Sequence, residues 1–416
     1  MRNTITRKRT ASIFSQQSYL AYVRDELHSY SHGTQGLMDL ALHYIEDALK
    51  NHEPDRHIIW EASAMDAPVV YACGGVPVSY IELARFGLRS DAAFVEEQLD
   101  IPGDVCSMAK MILGRFFQAG KDNVTLIHVN TAVCEPFNML FEILRDNGFP
   151  VMYQDTPLRI TDVSAEYRTK AIEERRKALD ELSERICGEP LSEERLSAEL
   201  SRYNRILKKI EYINHLRRSH RTYLGNLASA YIMLGVGNYF GRPERYEEVL
   251  DELTAELKAL SPGEYDDEVI PLVWSGARSV DFGICDALDQ MGGLILDWNV
   301  PTNLHQYYNE DIPAIQAWLN YSLGLGADGK PAGGNILLPQ IIRNVKARGV
   351  LQYGYLGCPM CAVGIHLTQG LVREHFGIPC LDIMGSFPSE QISGQMRTRL
   401  EAFIEMLDTD ASQMVS

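Results

Sequence analysis

Three cysteines stand where thiolates could do chemistry. Residues 349–361, Gly-Val-Leu-Gln-Tyr-Gly-Tyr-Leu-Gly-Cys-Pro-Met-Cys, are an apolar, β-prone run that ends at Gly357 and delivers Cys358 just before an amphipathic helix. A cysteine at the carboxyl end of a parallel strand faces the crevice in which open α/β sheets bind ligands. Cys106 and Cys134 fall at similar strand-to-helix junctions. Asp104 reads as an N-cap, which puts Cys106 in the first helical turn, where the helix dipole favours a thiolate. Cys134 follows the apolar strand Val124–Asn130 and precedes Glu135 and Pro136. Three thiolates converging on one crevice suggest a metal centre, and in a reducing compartment an iron–sulfur cluster is the natural candidate.

The other cysteines carry weaker signals. Cys187, Cys285 and Cys380 lie inside helical or strand patterns, where a buried thiol is ordinary packing. Cys73 stands at a helix end beside Gly74 and Gly75. Cys361 makes a Cys-Pro-Met-Cys pair with Cys358, a spacing that also suits zinc or redox chemistry. His128, in an apolar strand, and His366, in a helix, read as satisfied core residues, and no Ser–His–Asp constellation can be assembled.

Composition narrows the function classes. At 416 residues the chain suits two or three domains. Its formal charge of −17 argues against nucleic acid, because phosphate binding needs a basic surface. No apolar run is long enough to cross a membrane. Met1–Thr10 is basic without the apolar stretch of a secretory signal, so a cytoplasmic protein is expected. Eight cysteines are too sparse for a disulfide scaffold. Neither a Walker-type phosphate loop nor a dinucleotide fingerprint is present, so the chain itself is expected neither to hydrolyse ATP nor to bind NAD.

The elements that must position the cysteines follow an α/β plan. Residues 1–55 read as an N-terminal helical region, with Met38, Leu42, Ile45 and Leu49 at helical spacing. Residues 56–160 read as a first lobe, with strands at His57–Ala62, Val76–Ile81, Val124–Asn130 and from Val151. Residues 161–245 turn charged and helical, with Ile206, Ile210 and Ile213 as an apolar stripe. The charge runs there read as solvated faces. Residues 246–416 read as a second lobe with strands near Ile270, Gly293, Gly349 and Ile378. A last helix there carries Leu400, Phe403, Ile404 and Leu407 on one face. The expected fold is two Rossmann-like lobes with parallel sheets joined by a helical segment.

On these residues the chain resembles the 2-hydroxyacyl-CoA dehydratases and the related benzoyl-CoA reductases. The likeness spans most of residues 57–407 as order and spacing. It rests on Cys106-Ser-Met-Ala-Lys-Met-Ile-Leu-Gly, Val133-Cys134-Glu135, Gly357-Cys358, Gly377-Ile378-Pro379 and, most specifically, Thr398-Arg399-Leu-Glu401-Ala-Phe403-Ile-Glu405. The mid-chain stretches Leu182-Ser-Glu and Asn204-Arg205-Ile fit the family's linker.

The resemblance implies a heterodimer of two related subunits, each with a [4Fe–4S] cluster held by three cysteines, here Cys106, Cys134 and Cys358. It implies an acyl-CoA substrate and a separate ATP-dependent iron–sulfur activator that injects one electron. The thioester becomes a ketyl radical, loses its hydroxyl and then a β-proton, and the electron returns. In the family's substrate-bearing subunit a serine after a Trp-containing strand and a glutamate after the next strand lie near the iron. Trp60-Glu-Ala-Ser63 and Tyr80-Ile-Glu82 match that placement. Ser63 and Glu82 are thus the implied catalytic residues, though each also reads as an ordinary helix-start serine and surface carboxylate. Asp66-Ala-Pro68 departs from the family's Phe-Pro-Gln-Glu-like run, and Met384-Gly385-Ser386 stands where acidic residues are common, so the acyl group stays open. The rival readings are reduction of an aromatic-ring CoA ester, a homodimer with a double-cubane cluster that takes Cys361 as a ligand, and a non-catalytic metal-stabilised scaffold.

Overall fold

Parallel pairing organises the chain. A computed structural model describes residues 31–50, 58–61, 67–79, 89–130, 134–154, 163–277, 281–300, 306–325, 337–385 and 392–413. In chain order the elements are α1 (His32–Lys50), β1 (Ile58–Glu61), α2 (Ala67–Ala72), β2 (Val76–Ser79), α3 (Arg89–Gln98), α4 (Ser107–Ala119), β3 (Leu126–Asn130), α5 (Glu135–Asp146) and β4 (Val151–Gln154). The helical stretch comprises α6 (Ala165–Cys187), α7 (Glu193–Arg217), α8 (Asn226–Leu234) and α9 (Pro243–Ala259). There follow β5 (Ile270–Gly276), α10 (Phe282–Met291), β6 (Gly293–Asn299), α11 (Ala314–Ser322), α12 (Leu337–Val345), β7 (Gly349–Tyr355), α13 (Pro359–Phe376), β8 (Cys380–Gly385) and α14 (Gly394–Gln413).

The strands form two four-stranded sheets, ordered β2-β1-β3-β4 and β6-β5-β7-β8, and every pairing is parallel. The two orders are the same once the second set is counted from its own first strand. In each, the chain goes from the first strand to one side, then crosses back to place the third strand on the other side. That reversal opens a crevice at the carboxyl ends of β1 and β3, and again at those of β5 and β7. All of β7 and nearly all of β5 are buried, which is why both read as unbroken apolar runs rather than alternating ones.

The helices cover the sheets as their apolar spacing requires. Leu400, Phe403, Ile404 and Leu407 of α14 are all buried. They lie over Gly293 and Gly349, the first residues of β6 and β7, where any Cβ would stand within 2.7 Å of Ile404 or of Phe403. Leu196, Leu200, Tyr203, Ile206, Leu207, Ile210 and Ile213 make the buried stripe of α7. Its charged face is not simply solvated. Arg202, Arg205 and Lys209 pair with Glu244, Glu247 and Asp251, each partner 42 positions on, so the rows lace α7 to α9. The buried Asn226 ties three elements together: it donates to Asp289 of α10 and to the Gly293 carbonyl, and accepts from the Ile295 amide of β6. Among the described residues no helix is long and apolar enough to cross a membrane.

Candidate metal centre

The chain starts a helix at each of the three cysteines. Cys106 is the N-cap of α4, Cys134 the N-cap of α5 and Cys358 the N-cap of α13. Asp104 is not the cap expected of it. The Val105 amide bonds back to the Pro102 carbonyl, so Asp104 is spent inside a turn and the helix begins two residues later than its type suggests. Proline follows closely at two of the sites, Pro136 and Pro359, where a missing amide proton costs nothing. Cys134 follows β3 and Cys358 follows β7, equivalent places in the two sheets, both at the switch-point crevices.

The loops of the two halves touch. The Ser107 amide donates to the Leu356 carbonyl at 3.3 Å. Gly357 has φ of +78°, and a Cβ there would sit 2.7 Å from the Asp104 carbonyl oxygen and 3.0 Å from the Cys106 nitrogen. Only glycine accepts both that backbone conformation and that approach. On the other side, Lys110 of α4 reaches back to the Gly103 carbonyl at 2.6 Å and to Glu96 at 2.5 Å, fixing the loop that presents Cys106.

The thiols interact accordingly. The side chains of Cys106 and Cys361 hydrogen-bond to Cys358 and hold its thiol far below the usual range, with the amides of Cys361 and Met360 helping. Cys106 and Cys361 are both pushed up, by their hydrogen bonds to Cys358 and then by burial. Burial raises Cys134 as well, and the charge at Cys358 adds to the effect. Cys358, set at a helix amino end, is thus the thiol pushed down, while its neighbours Cys106 and Cys361 are pushed up.

Among the described residues no group of three or more His, Cys, Asp and Glu side chains could hold a metal ion. An iron–sulfur cluster makes a different demand, because each thiolate binds its own iron and the ligands ring a larger body. Two features fit such a body. The donor set is all thiol and sits at three helix amino ends, which favour an anionic group. Ser107, beside Cys106, is buried and its hydroxyl has no hydrogen-bond partner. A hydroxyl orphaned at this point is suited to a sulfide acceptor.

Ser63 and Glu82 lie outside the described residues, as do Asp66, Tyr80 and Ser386. In the chain, Ser63 comes two residues after the end of β1 and Glu82 three after the end of β2. Of the remaining candidates, His128 is buried and bonded to Gln154, as its strand setting predicts. His366 is a correction: it is exposed, because it falls on the outer side of α13. Cys285 is fully buried, and Cys73 and Cys187 share Ser183 as a hydrogen-bond partner. The part that sequence reasoning missed is Ser107. Its only signal is its position directly after Cys106.

A family model described as 2-hydroxyglutaryl-CoA dehydratase, D-component, matches residues 64–407. That is well over half of the chain, and the chain belongs to this family. The matched segment contains Cys106, Cys134, Cys358 and Glu82 and begins one residue after Ser63. A search of curated proteins found no match.

Proposed function

We propose that this member of the family is the iron–sulfur subunit of a 2-hydroxyacyl-CoA dehydratase, a lyase that removes water from a 2-hydroxyacyl-CoA to give a 2-enoyl-CoA through a ketyl radical. The observation that carries the reading is the meeting of Cys106 from one half with Cys358 from the other, with Cys134 within electrostatic reach, inside a chain of this family. Cys106, Cys134 and Cys358 would hold a [4Fe–4S] cluster. When bound, that cluster supplies one-electron chemistry.

The chain's own residues supply the setting. The amino ends of α4, α5 and α13 offer backbone N–H groups and positive dipole ends to an anionic centre. Lys110 fixes the loop that presents Cys106, and Gly357 lets the second loop approach it closely. Ser63 and Glu82, which follow the first two strands in the chain, would bind the thioester and move its proton. On this reading the partners are an acyl-CoA, a related second subunit and an ATP-dependent iron–sulfur activator, in the cytoplasm.

A surface feature supports the second subunit. Leu356, Met360, Val363 and Leu367 recur at spacings of four, three and four, and each is more than half exposed. Gly364 and Gly370 are open to solvent within the same helix, with nothing within 4 Å of an added Cβ. Exposed apolar patches of a few hundred Å² on soluble chains mark interaction sites. Here the stripe adjoins the cysteines, on a helix with a single fully buried residue, Val372.

The test of the function is turnover of a 2-hydroxyacyl-CoA by the anaerobically assembled complex, with Ser63→Ala and Glu82→Ala variants. Each should lower the rate by about 10²-fold or more while iron content stays unchanged. Full activity in both variants would remove this chain from the chemistry and leave it a scaffold.

A further inference from the structure

We propose that Cys73 and Cys187 form an oxidation site, a thiol pair that a hydroperoxide converts to a reversible disulfide. The pair lies apart from the cysteines assigned to the cluster and needs no cluster to react.

Cys73 directly follows α2, Cys187 is the last residue of α6, and the two helices pack together. Ser183, fully buried, joins the two thiols. Its Oγ is 3.5 Å from the Cys73 Sγ and 3.6 Å from the Cys187 Sγ, and the thiols also hydrogen-bond with one another. The hydroxyl gives its own hydrogen to the Glu189 carbonyl at 2.8 Å, so it meets the Cys73 thiol as an acceptor. The Cys187 thiol donates to the Ser183 carbonyl at 3.2 Å, an ordinary bond one turn back in a helix. Packing alone does not call for a second thiol, from a distant part of the chain, on that same serine.

Exposure divides the roles. Cys73 is 7% exposed, and burial pushes its thiol up to about 12. Cys187 is half-buried. Arg195 of α7, paired with Glu189, brings a positive charge near both sulfurs. A cation beside an accessible thiol favours the thiolate that attacks a peroxide. Cys187 is therefore the thiol that meets the oxidant, and Cys73 the one that resolves it. The Cys187 sulfur takes one peroxide oxygen, the O–O bond breaks, and Cys187 becomes a sulfenic acid as water or an alcohol leaves. The Cys73 sulfur then displaces the sulfenic hydroxyl, which departs as water with the Cys73 proton. Two thiols give up two electrons and the peroxide takes both. The bridge ties the turn before β2 to the end of α6. It also halts Cys187 before the sulfinic acid, which thiols do not reduce, whereas a disulfide reopens by thiol exchange.

The test treats the anaerobically purified full chain with a small excess of hydrogen peroxide, alkylates the remaining thiols and maps peptides by mass without reduction. Wild type should yield a peptide in which Cys73 is linked to Cys187, and dithiothreitol should return both as thiols. Cys73→Ser should leave a sulfenic acid at Cys187 that dimedone traps and that further peroxide carries to sulfinic and sulfonic acid. Cys187→Ser should leave Cys73 unoxidised at the same peroxide level. The wild-type measurement stands even if a variant fails to fold. Two free thiols in treated wild type, a lasting sulfenic acid at Cys187 there, or a link from Cys73 to another cysteine would each overturn the proposal. So would oxidation of Cys73 in the absence of Cys187.

Discussion

At the scale of single residues, the site depends on a glycine more than on any charged group. Gly357 combines positive φ with an approach to the Asp104–Cys106 loop that leaves no space for a methyl group. Gly357→Ala should cost about 1–3 kcal/mol in stability and lower the iron retained after anaerobic loading. Unchanged iron and unchanged urea midpoint would show that the two loops need not touch. A second residue gives a pH signature away from the cysteines. Burial pushes the Asp289 carboxyl from 3.8 up to about 7, against the opposing hydrogen bonds from Asn226. The folded state therefore keeps a proton that the unfolded chain has lost. The stabilising contribution is full below the unfolded value and is lost as pH rises through about 7. Wild type should lose stability relative to Asp289→Asn by an amount on the order of a few kcal/mol between pH 4 and pH 8 in urea titrations. Parallel profiles for the two proteins would contradict this.

At the scale of elements, the strands were legible because parallel strands buried on both faces must be continuously apolar. Val124–Asn130 and Gly349–Tyr355 stand out for that reason. The face of α14 was legible from its period, and it carries a quantitative expectation. Phe403 is buried over Gly349, so Phe403→Ala should cost about 3–5 kcal/mol and lower the thermal midpoint. A shift of a degree or less would mean that α14 does not cover the second sheet. What was not legible lies between elements. Asp104 has the composition of a cap, yet the Pro102–Val105 hydrogen bond takes it into a turn and Cys106 caps α4 instead. The charged runs on α7 looked like solvated faces, but they pair with α9, a register that needs both helices to be in place. Those exposed pairs are worth little singly: Arg205→Glu should change stability by no more than about 1 kcal/mol, less at high salt.

At the scale of the whole molecule, local patterns could place each cysteine at a helix start but could not bring Cys106 against a loop some 250 positions later in the chain. That contact joins a loop beside the first sheet to the loop after β7 of the second, and it brings the Cys106 and Cys358 junctions together. Ser63 and Glu82 remain proposals from resemblance and chain position. The open stripe on α13 belongs to this scale too. Leu367→Glu should leave circular dichroism and iron content unchanged while weakening association with the related subunit by at least tenfold, read by light scattering or analytical ultracentrifugation. Association at wild-type strength would place the partner elsewhere. The most direct test of the account is iron and acid-labile sulfide per chain, measured on strictly anaerobic wild type beside Cys106→Ser, Cys134→Ser and Cys358→Ser. The account predicts about four of each for wild type and marked loss in all three variants. Zinc, or no metal, in wild type would contradict it, as would a variant that keeps its full complement.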